Sequence, residues 1–238
     1  MRIIPRRHPT LFIVAIAALI MAAAAFVIYK RVLVAGPAIE PDPGIYTLRG
    51  IDVSAHNGDI DFDRVAQEGY GFALIKATEG TDFKDKRFDD NVGRARSAGL
   101  LTGAYHFFRF DTDGRLQAIN LLHSTRGVTL DFPLIIDVEE WGNPDAVATS
   151  EIVARLRQMI SHLEYFGRDI ILYTNKDGYE RFIRGNFDSY PLWICSFSEI
   201  DPDIPWSIWQ YSHRGRVDGI SGRVDFNTIH PSVLAPTQ

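Results

Sequence analysis

The chain has 238 residues, with 25 Lys and Arg against 30 Asp and Glu, and a single cysteine, Cys195, which rules out an intramolecular disulfide and says little about compartment. Five basic and two acidic residues precede Arg49, so 20 basic and 28 acidic residues remain beyond that point, a net charge of −8. A domain that acidic offers no face to a phosphate backbone, which argues against a nucleic-acid partner.

From Leu11 to Tyr29 the chain reads LFIVAIAALIMAAAAFVIY, nineteen residues without a charge. As a helix that run crosses about 30 Å of hydrocarbon. A cleaved signal peptide is the rival, but its apolar core is usually about 7–15 residues long. The expectation is an uncleaved anchor over residues 11–29, behind a cytoplasmic tail of residues 1–10. Arg2, Arg6 and Arg7 before the run, against Lys30 and Arg31 after it, bias the domain to the outside, facing the periplasm or cell wall. Residues 30–46 form a linker broken by Gly36, Pro37, Pro41, Pro43 and Gly44. The remainder, 47–238, suits one domain of roughly 190 residues, expected to be a monomer.

That domain alternates short strands and helices. Strands are predicted at Arg49–Ser54, Phe72–Ala77, Leu101–Phe107, from Pro133 to Asp137, and at Ile170–Thr174. Helices are predicted at Phe62–Gly69 with Asp61 as cap, at Phe88–Ala98 closed by Gly99, at Gly114–Ser124, at Ser150–Phe166 ended by Gly167, and near Lys176–Arg184. After that the helices disappear, and Leu192–Ser196, Ser207–Tyr211 and Gly222–Phe226 read as strands joined by loops. Eight strands with five helices between them predict an α/β fold, an irregular TIM-like barrel with few helices in its last third. A doubly wound open sheet is the alternative, although no glycine-rich dinucleotide fingerprint supports a nucleotide fold.

The strand Pro133-Leu-Ile-Ile-Asp137 runs on through Val138 to Glu139. Its apolar run without alternation reads as a strand covered on both faces. Residues two apart share a face, so Ile135, Asp137 and Glu139 point one way, and Leu134, Ile136 and Val138 the other. In a barrel the chemistry gathers at the C-terminal ends of the strands. Asp52 lies near the end of the first strand and Asp225 in the last, and a closed barrel makes those strands neighbours. Four carboxylates, Asp52, Asp137, Glu139 and Asp225, then face one cleft, and their repulsion keeps at least one protonated near neutrality. Glycoside hydrolysis asks for such a set: one acid for the leaving oxygen, and carboxylates that stabilise positive charge at the anomeric carbon. Tyr105, Phe107, Tyr173, Trp193, Trp209 and Tyr211, near strand ends, supply flat surfaces for sugar rings.

Gly50-Ile-Asp-Val-Ser54, Lys76-Ala-Thr-Glu-Gly-Thr81, Tyr105-His-Phe107, Asp137-Val-Glu139, Leu192-Trp193 and Trp209-Gln-Tyr-Ser212 together resemble, in order and spacing, the family 25 glycoside hydrolases. The resemblance spans about residues 49–230. It implies a lysozyme that cuts the β-1,4 bond after N-acetylmuramic acid in peptidoglycan, on an irregular eight-stranded barrel. It places catalytic acids at Asp52, Asp137, Glu139 and Asp225, with Glu139 as proton donor. Lys76, Glu79, Tyr105, Phe107, Tyr173, Trp193, Trp209 and Gln210 then stand as substrate-binding candidates. Family members often carry Ala and Tyr where this chain has Cys195 and Phe197. No cofactor and no metal are expected, since the seven His residues form no H-E-x-x-H pattern.

Plainer roles compete for several of these residues. Lys76 and Glu79 can simply pair with each other, Trp193 and Trp209 can be core, Gln210 can satisfy a buried backbone group, His106 can be a hydrogen-bonded core histidine, and Asp225-Phe-Asn227 can be turn chemistry. Two other functions stand beside the muramidase. One is a non-catalytic glycan-binding module, which has no use for crowded carboxylates. The other is a metal-dependent sugar deacetylase built on Asp52 with His56 or His106.

Overall fold

The structure, a computed structural model, describes residues 39–234 together with Met21. The expected membrane anchor, Leu11–Tyr29, lies outside the described residues apart from Met21. Among the described residues no helix is long and apolar enough to cross a membrane. The compact unit that carries the barrel begins at Ile39, earlier than the boundary expected at residue 47. Ile39 packs on the core, and the Tyr46 ring lies 5.7 Å from that of Trp206.

The chain runs β1 (Arg49–Val53), α1 (Phe62–Gln67), β2 (Tyr70–Glu79), β3 (Phe83–Lys84), α2 (Phe88–Ser97), β4 (Leu101–Phe107), α3 (Gly114–Ser124), β5 (Leu134–Asp137), α4 (Thr149–Tyr165), β6 (Ile170–Asn175), β7 (Leu192–Cys195), β8 (Ile208–Gly215) and β9 (Val224–Ile229). Eight of the strands close a barrel in the order β1-β2-β4-β5-β6-β7-β8-β9, with β9 returning to β1. The small β3 folds back on the end of β2 as a hairpin. Neighbours are parallel from β1 through to β8, and β9 runs antiparallel to both β8 and β1. A parallel return needs a crossover of about a dozen residues or more, and the stretch between Gly215 and Val224 is too short for one. The last third carries few helices, as expected, and the reversal of β9 is a further irregularity that was not expected.

Local signals set the helix ends. The Asp61 and Asp113 carboxylates accept from the backbone N–H groups of Arg64 (3.2 Å) and Leu116 (2.9 Å), capping α1 and α3. Gly167 follows α4 with φ 67°, a conformation that costs a residue with a Cβ. The helix expected at Lys176–Arg184 is one α turn, Lys176–Gly178, continued as a π turn, Tyr179–Ile183.

Alternation along the strands divides the apolar residues into two layers. Phe72, Leu74, Ile135, Ile171, Trp193, Ile208 and Ile229 fill the barrel. Ile51, Val53, Ile75, Ile136, Val138, Leu172 and Ile194 face outward to the helices, where Leu121, Leu156 and Ile160 meet them. A Cβ on Gly50 would lie 2.4 Å from the Phe72 ring, so the filled interior demands glycine there. With the lower barrel packed solid, open space remains at the mouth, where the strands turn polar.

Candidate active site

The mouth is a cleft of about 1160 Å³. Strand register places its acids. Asp137, the last residue of β5, pairs with Phe107 of β4 and Tyr173 of β6, so these three stand at one level. Val138 is held by its N–H to the Tyr173 carbonyl (2.8 Å) and by its carbonyl to the Thr174 hydroxyl (2.7 Å). Glu139 follows, its carbonyl accepting from Asn143 Nδ2 at 2.9 Å. Asp52 of β1 stands directly opposite Asp225 of β9. Because β9 is reversed, Asp225 reaches the mouth from the start of its strand.

Asp52 is nearly buried, and its Oδ2 accepts two amide N–H groups, from Asn227 (2.8 Å) and Gln210 (2.9 Å). Burial raises its proton affinity and the two amides oppose that rise. Asp225 is pushed up to about 8, first by burial, then by the Asp52 charge and by the hydrogen bond between the two carboxyls. Burial, with the Asp52 charge added, pushes Glu139 up to about 7 against the opposing pull of Lys76. Asp137 rises well above the usual carboxylate range through burial and then through the Glu139 charge. Its Oδ1 is buried with no hydrogen-bond partner in the protein. Such an atom is costly unless a ligand completes it.

Of the other residues singled out in the sequence, Lys76, Glu79, Tyr105, Phe107, Tyr173, Trp193 and Gln210 all line the cleft. Lys76 Nζ binds Glu79 Oε2 at 2.8 Å, so the two do pair, and they do so at the cleft wall. Gln210 serves the Asp52 carboxylate and not a backbone group. Trp209 departs from the expectation. It points to the outer layer, its Nε1–H donates to the Ser196 carbonyl at 2.7 Å, and its ring packs among Tyr46, Trp206 and Tyr211. Tyr211 shares that outer face. Since Gln210 points inward, its neighbours must point out.

His106 is the core histidine foreseen. Its Nδ1 and Nε2 meet Thr78 Oγ1 (2.7 Å) and Gln117 Oε1 (3.0 Å), and burial pushes it down to about 4. His56 Nδ1 is taken by Ser54 Oγ at 3.2 Å. These histidines give the deacetylase reading no ligand cluster, and among the described residues no group of three His, Cys, Asp or Glu could hold a metal.

Sequence reasoning passed over three contributors. Asn227 lies two residues from Asp225 and shares its face, so strand period alone pointed to it. Asn143 pins the Glu139 loop to Phe108 and Phe110, a long-range role with no local signature. Trp141, two residues after Glu139, stands 80% exposed at the cleft rim.

An eight-stranded barrel with a deep cleft, a half-buried acid poised near neutrality and a crowd of carboxylates defines a glycosidase. Residues 51–220 match the model for Glycosyl hydrolases family 25. Lysozyme M1 of Streptomyces globisporus is 35% identical over 203 residues, covering 78% of this chain and 68% of that protein. The YegX protein of Escherichia coli K12 is 38% identical over 200 residues, covering 80% of this chain and 72% of its own. A family 25 glycosyl hydrolase structure from Bacillus anthracis superposes with a TM-score of 0.74 at 30% identity, covering 82% of this chain and 93% of that one. The chain belongs to glycosyl hydrolase family 25.

Proposed function

We propose that this glycoside hydrolase cuts the β-1,4 bond between N-acetylmuramic acid and N-acetylglucosamine in peptidoglycan, with Glu139 as general acid and the substrate's own acetamido group as nucleophile. The observation that carries the reading is the pairing of a Glu139 held near 7 with a buried, unpartnered Asp137 Oδ1 two residues before it. The Glu139 proton passes to O4 of the leaving N-acetylglucosamine as the C1–O4 bond breaks. The acetamido carbonyl oxygen of N-acetylmuramic acid closes on C1. Asp137 is placed to accept the acetamido N–H. In the empty cleft burial favours its neutral form; its proton leaves to solvent as substrate binds, and the positive oxazolinium then stabilises the carboxylate, because an adjacent opposite charge favours the ionised carboxyl. Water then attacks C1, its proton passes to Glu139, and the oxazolinium opens. Asp52 and Asp225 position the ring and the water. A carboxylate nucleophile is not required, as in other substrate-assisted families.

The apolar run Leu11–Tyr29 fits this reading as a single-pass anchor that keeps the domain beside the wall, with residues 1–10 in the cytoplasm. Digestion of purified peptidoglycan with proton NMR of the first-released reducing end is the test. N-acetylmuramic acid released as the β-anomer supports the proposal. An initial α-anomer means inversion and overturns the mechanism.

A further inference from the structure

The Asp52 carboxylate is approached from both sides by amides that are themselves oriented. Trp193 Nε1–H donates to Asn227 Oδ1 at 2.9 Å, and Asn227 Nδ2 donates to Asp52 Oδ2 at 2.8 Å. On the other flank Tyr173 OH donates to Gln210 Oε1 at 2.9 Å, and Gln210 Nε2 donates to the same Asp52 oxygen at 2.9 Å. An indole N–H can only donate. It therefore fixes the Asn227 carbonyl toward Trp193 and the Asn227 N–H toward Asp52. Trp193 and Asn227 are buried, and the Trp193 and Tyr173 rings pack with centroids 4.4 Å apart, tilted at 57°, which holds both donors still.

We propose that Trp193 and Tyr173 are positioning residues: acting through Asn227 and Gln210, they hold Asp52 as the acceptor of its pair, so that Asp225 carries the proton the two carboxyls share. N–H donors favour the ionised form of the carboxyl they reach, and both amides reach Asp52, so Asp225, opposite it across the β1–β9 ladder, is the member left to carry the proton. Among aromatic residues in a sugar-cleaving cleft these two therefore act backwards, into the protein, and set the charge pattern of the mouth. Glu139 beyond β5, Asp137 on β5, Tyr105 on β4, Cys195 on β7 and Tyr173 itself on β6 interact with the pair, and Lys76, His56 and His213 line the same cleft. The proposal rests on the lytic reading for its consequence in turnover, but not for its structural content.

The test uses the full chain as Trp193→Phe and Tyr173→Phe, which remove one donor each and keep an aromatic ring. Infrared difference titration of the substrate-free protein follows the protonated-carboxyl band, assigned by its loss in Asp225→Asn. In wild type the pair should hold one proton through neutrality. With either relay donor gone, the amide is free to turn, ionised Asp52 loses support, and the second proton should bind at higher pH. In turnover kcat should fall roughly tenfold with KM nearly unchanged, and the acid limb of its pH profile should move toward neutrality. A titration unmoved in both variants overturns the proposal, as does a raised KM with unchanged kcat, which would mark the rings as sugar platforms. If Trp193→Phe fails to fold, the single-oxygen change at Tyr173 decides. Wild-type protein that releases no reducing sugar would sink the lytic reading, and the infrared titration would still decide this one.

Discussion

Lys76 Nζ lies 2.8 Å from Glu79 Oε2 and 5.1 Å from the centre of the Phe107 ring, so one ammonium is clamped between a carboxylate and an aromatic face at the wall of the cleft. From there its charge opposes the rise in proton affinity of both Glu139 and Asp137. Removing it in Lys76→Met makes ionised Glu139 less favourable, so Glu139 should hold its proton to higher pH. The alkaline limb of kcat/KM, expected near 7 in the parent, should move upward. A limb that stays in place or moves down would show that Lys76 does not tune the acid.

Glu139→Gln should abolish nearly all lytic activity while leaving the fold intact. Its effect on stability has a sign fixed by linkage. Glu139 binds its proton more tightly when folded (about 7) than at its ordinary value of 4.5. Below 4.5 both states are protonated, and its contribution is fully retained. As pH rises through 7 the folded protein must hold a charge it disfavours, and that stability is lost. Melts of parent and variant should coincide at pH 4, and the variant should have the higher Tm at pH 8. A variant that melts lower at pH 8 would mean that Glu139 is stabilised as a carboxylate.

Asp137→Asn keeps the shape of the side chain but cannot ionise, so it cannot answer the positive charge of an oxazolinium. Most of the rate should go, on the order of a hundredfold or more, with binding of a non-hydrolysed glycan little changed. Peptidoglycan whose muramic acid has been de-N-acetylated should resist the parent enzyme. Ready cleavage of that polymer would assign the nucleophile elsewhere.

Trp209 faces away from the cleft, so its loss should appear in stability and not in substrate affinity. Trp209→Phe leaves the buried Ser196 carbonyl without its 2.7 Å donor, at a cost of about 1–3 kcal/mol. Thermal melting against KM for peptidoglycan separates the two effects. An elevated KM with an unchanged melt would return Trp209 to the binding surface.

The N-terminal arm makes a cellular prediction. Protease added outside wall-stripped cells should digest the domain, and the chain recovered from membranes should still contain Leu11–Tyr29. A mature N-terminus beginning after Ala35 would count against an anchor.

The sequence showed its acids because strand period is a local property. Asp52, Asp137, Glu139 and Asp225 each follow or interrupt an apolar run, and alternation alone puts them on the inner face. Trp209 was harder because Ile208, Trp209, Gln210 and Tyr211 are all buried, so burial could not choose a face. Gln210 was the available signal, since the one polar residue within the run Ile208–Tyr211 marks the side with polar company. The reversal of β9 was not read from the sequence, although a connection too short for a parallel crossover was the available signal. Asn143 left no such trace, because what it holds, Phe108 and Phe110, lies some 35 positions earlier in the chain.

The reversed last strand has a consequence in time. Asp52 meets its partners Gln210, Asp225 and Asn227 across most of the chain, with Asn227 a separation of 175 residues away. Contacts that distant form late, because a long loop must close before they return any energy. On the ribosome a nascent chain that has not yet reached Val224 owns Glu139 and Asp137, but it has neither the carboxyl that shares a proton with Asp52 nor one of the two amides that hold it. Closure of the barrel is therefore also the moment of arming: until β9 pairs with β1 and β8, the site lacks both Asp225 and Asn227.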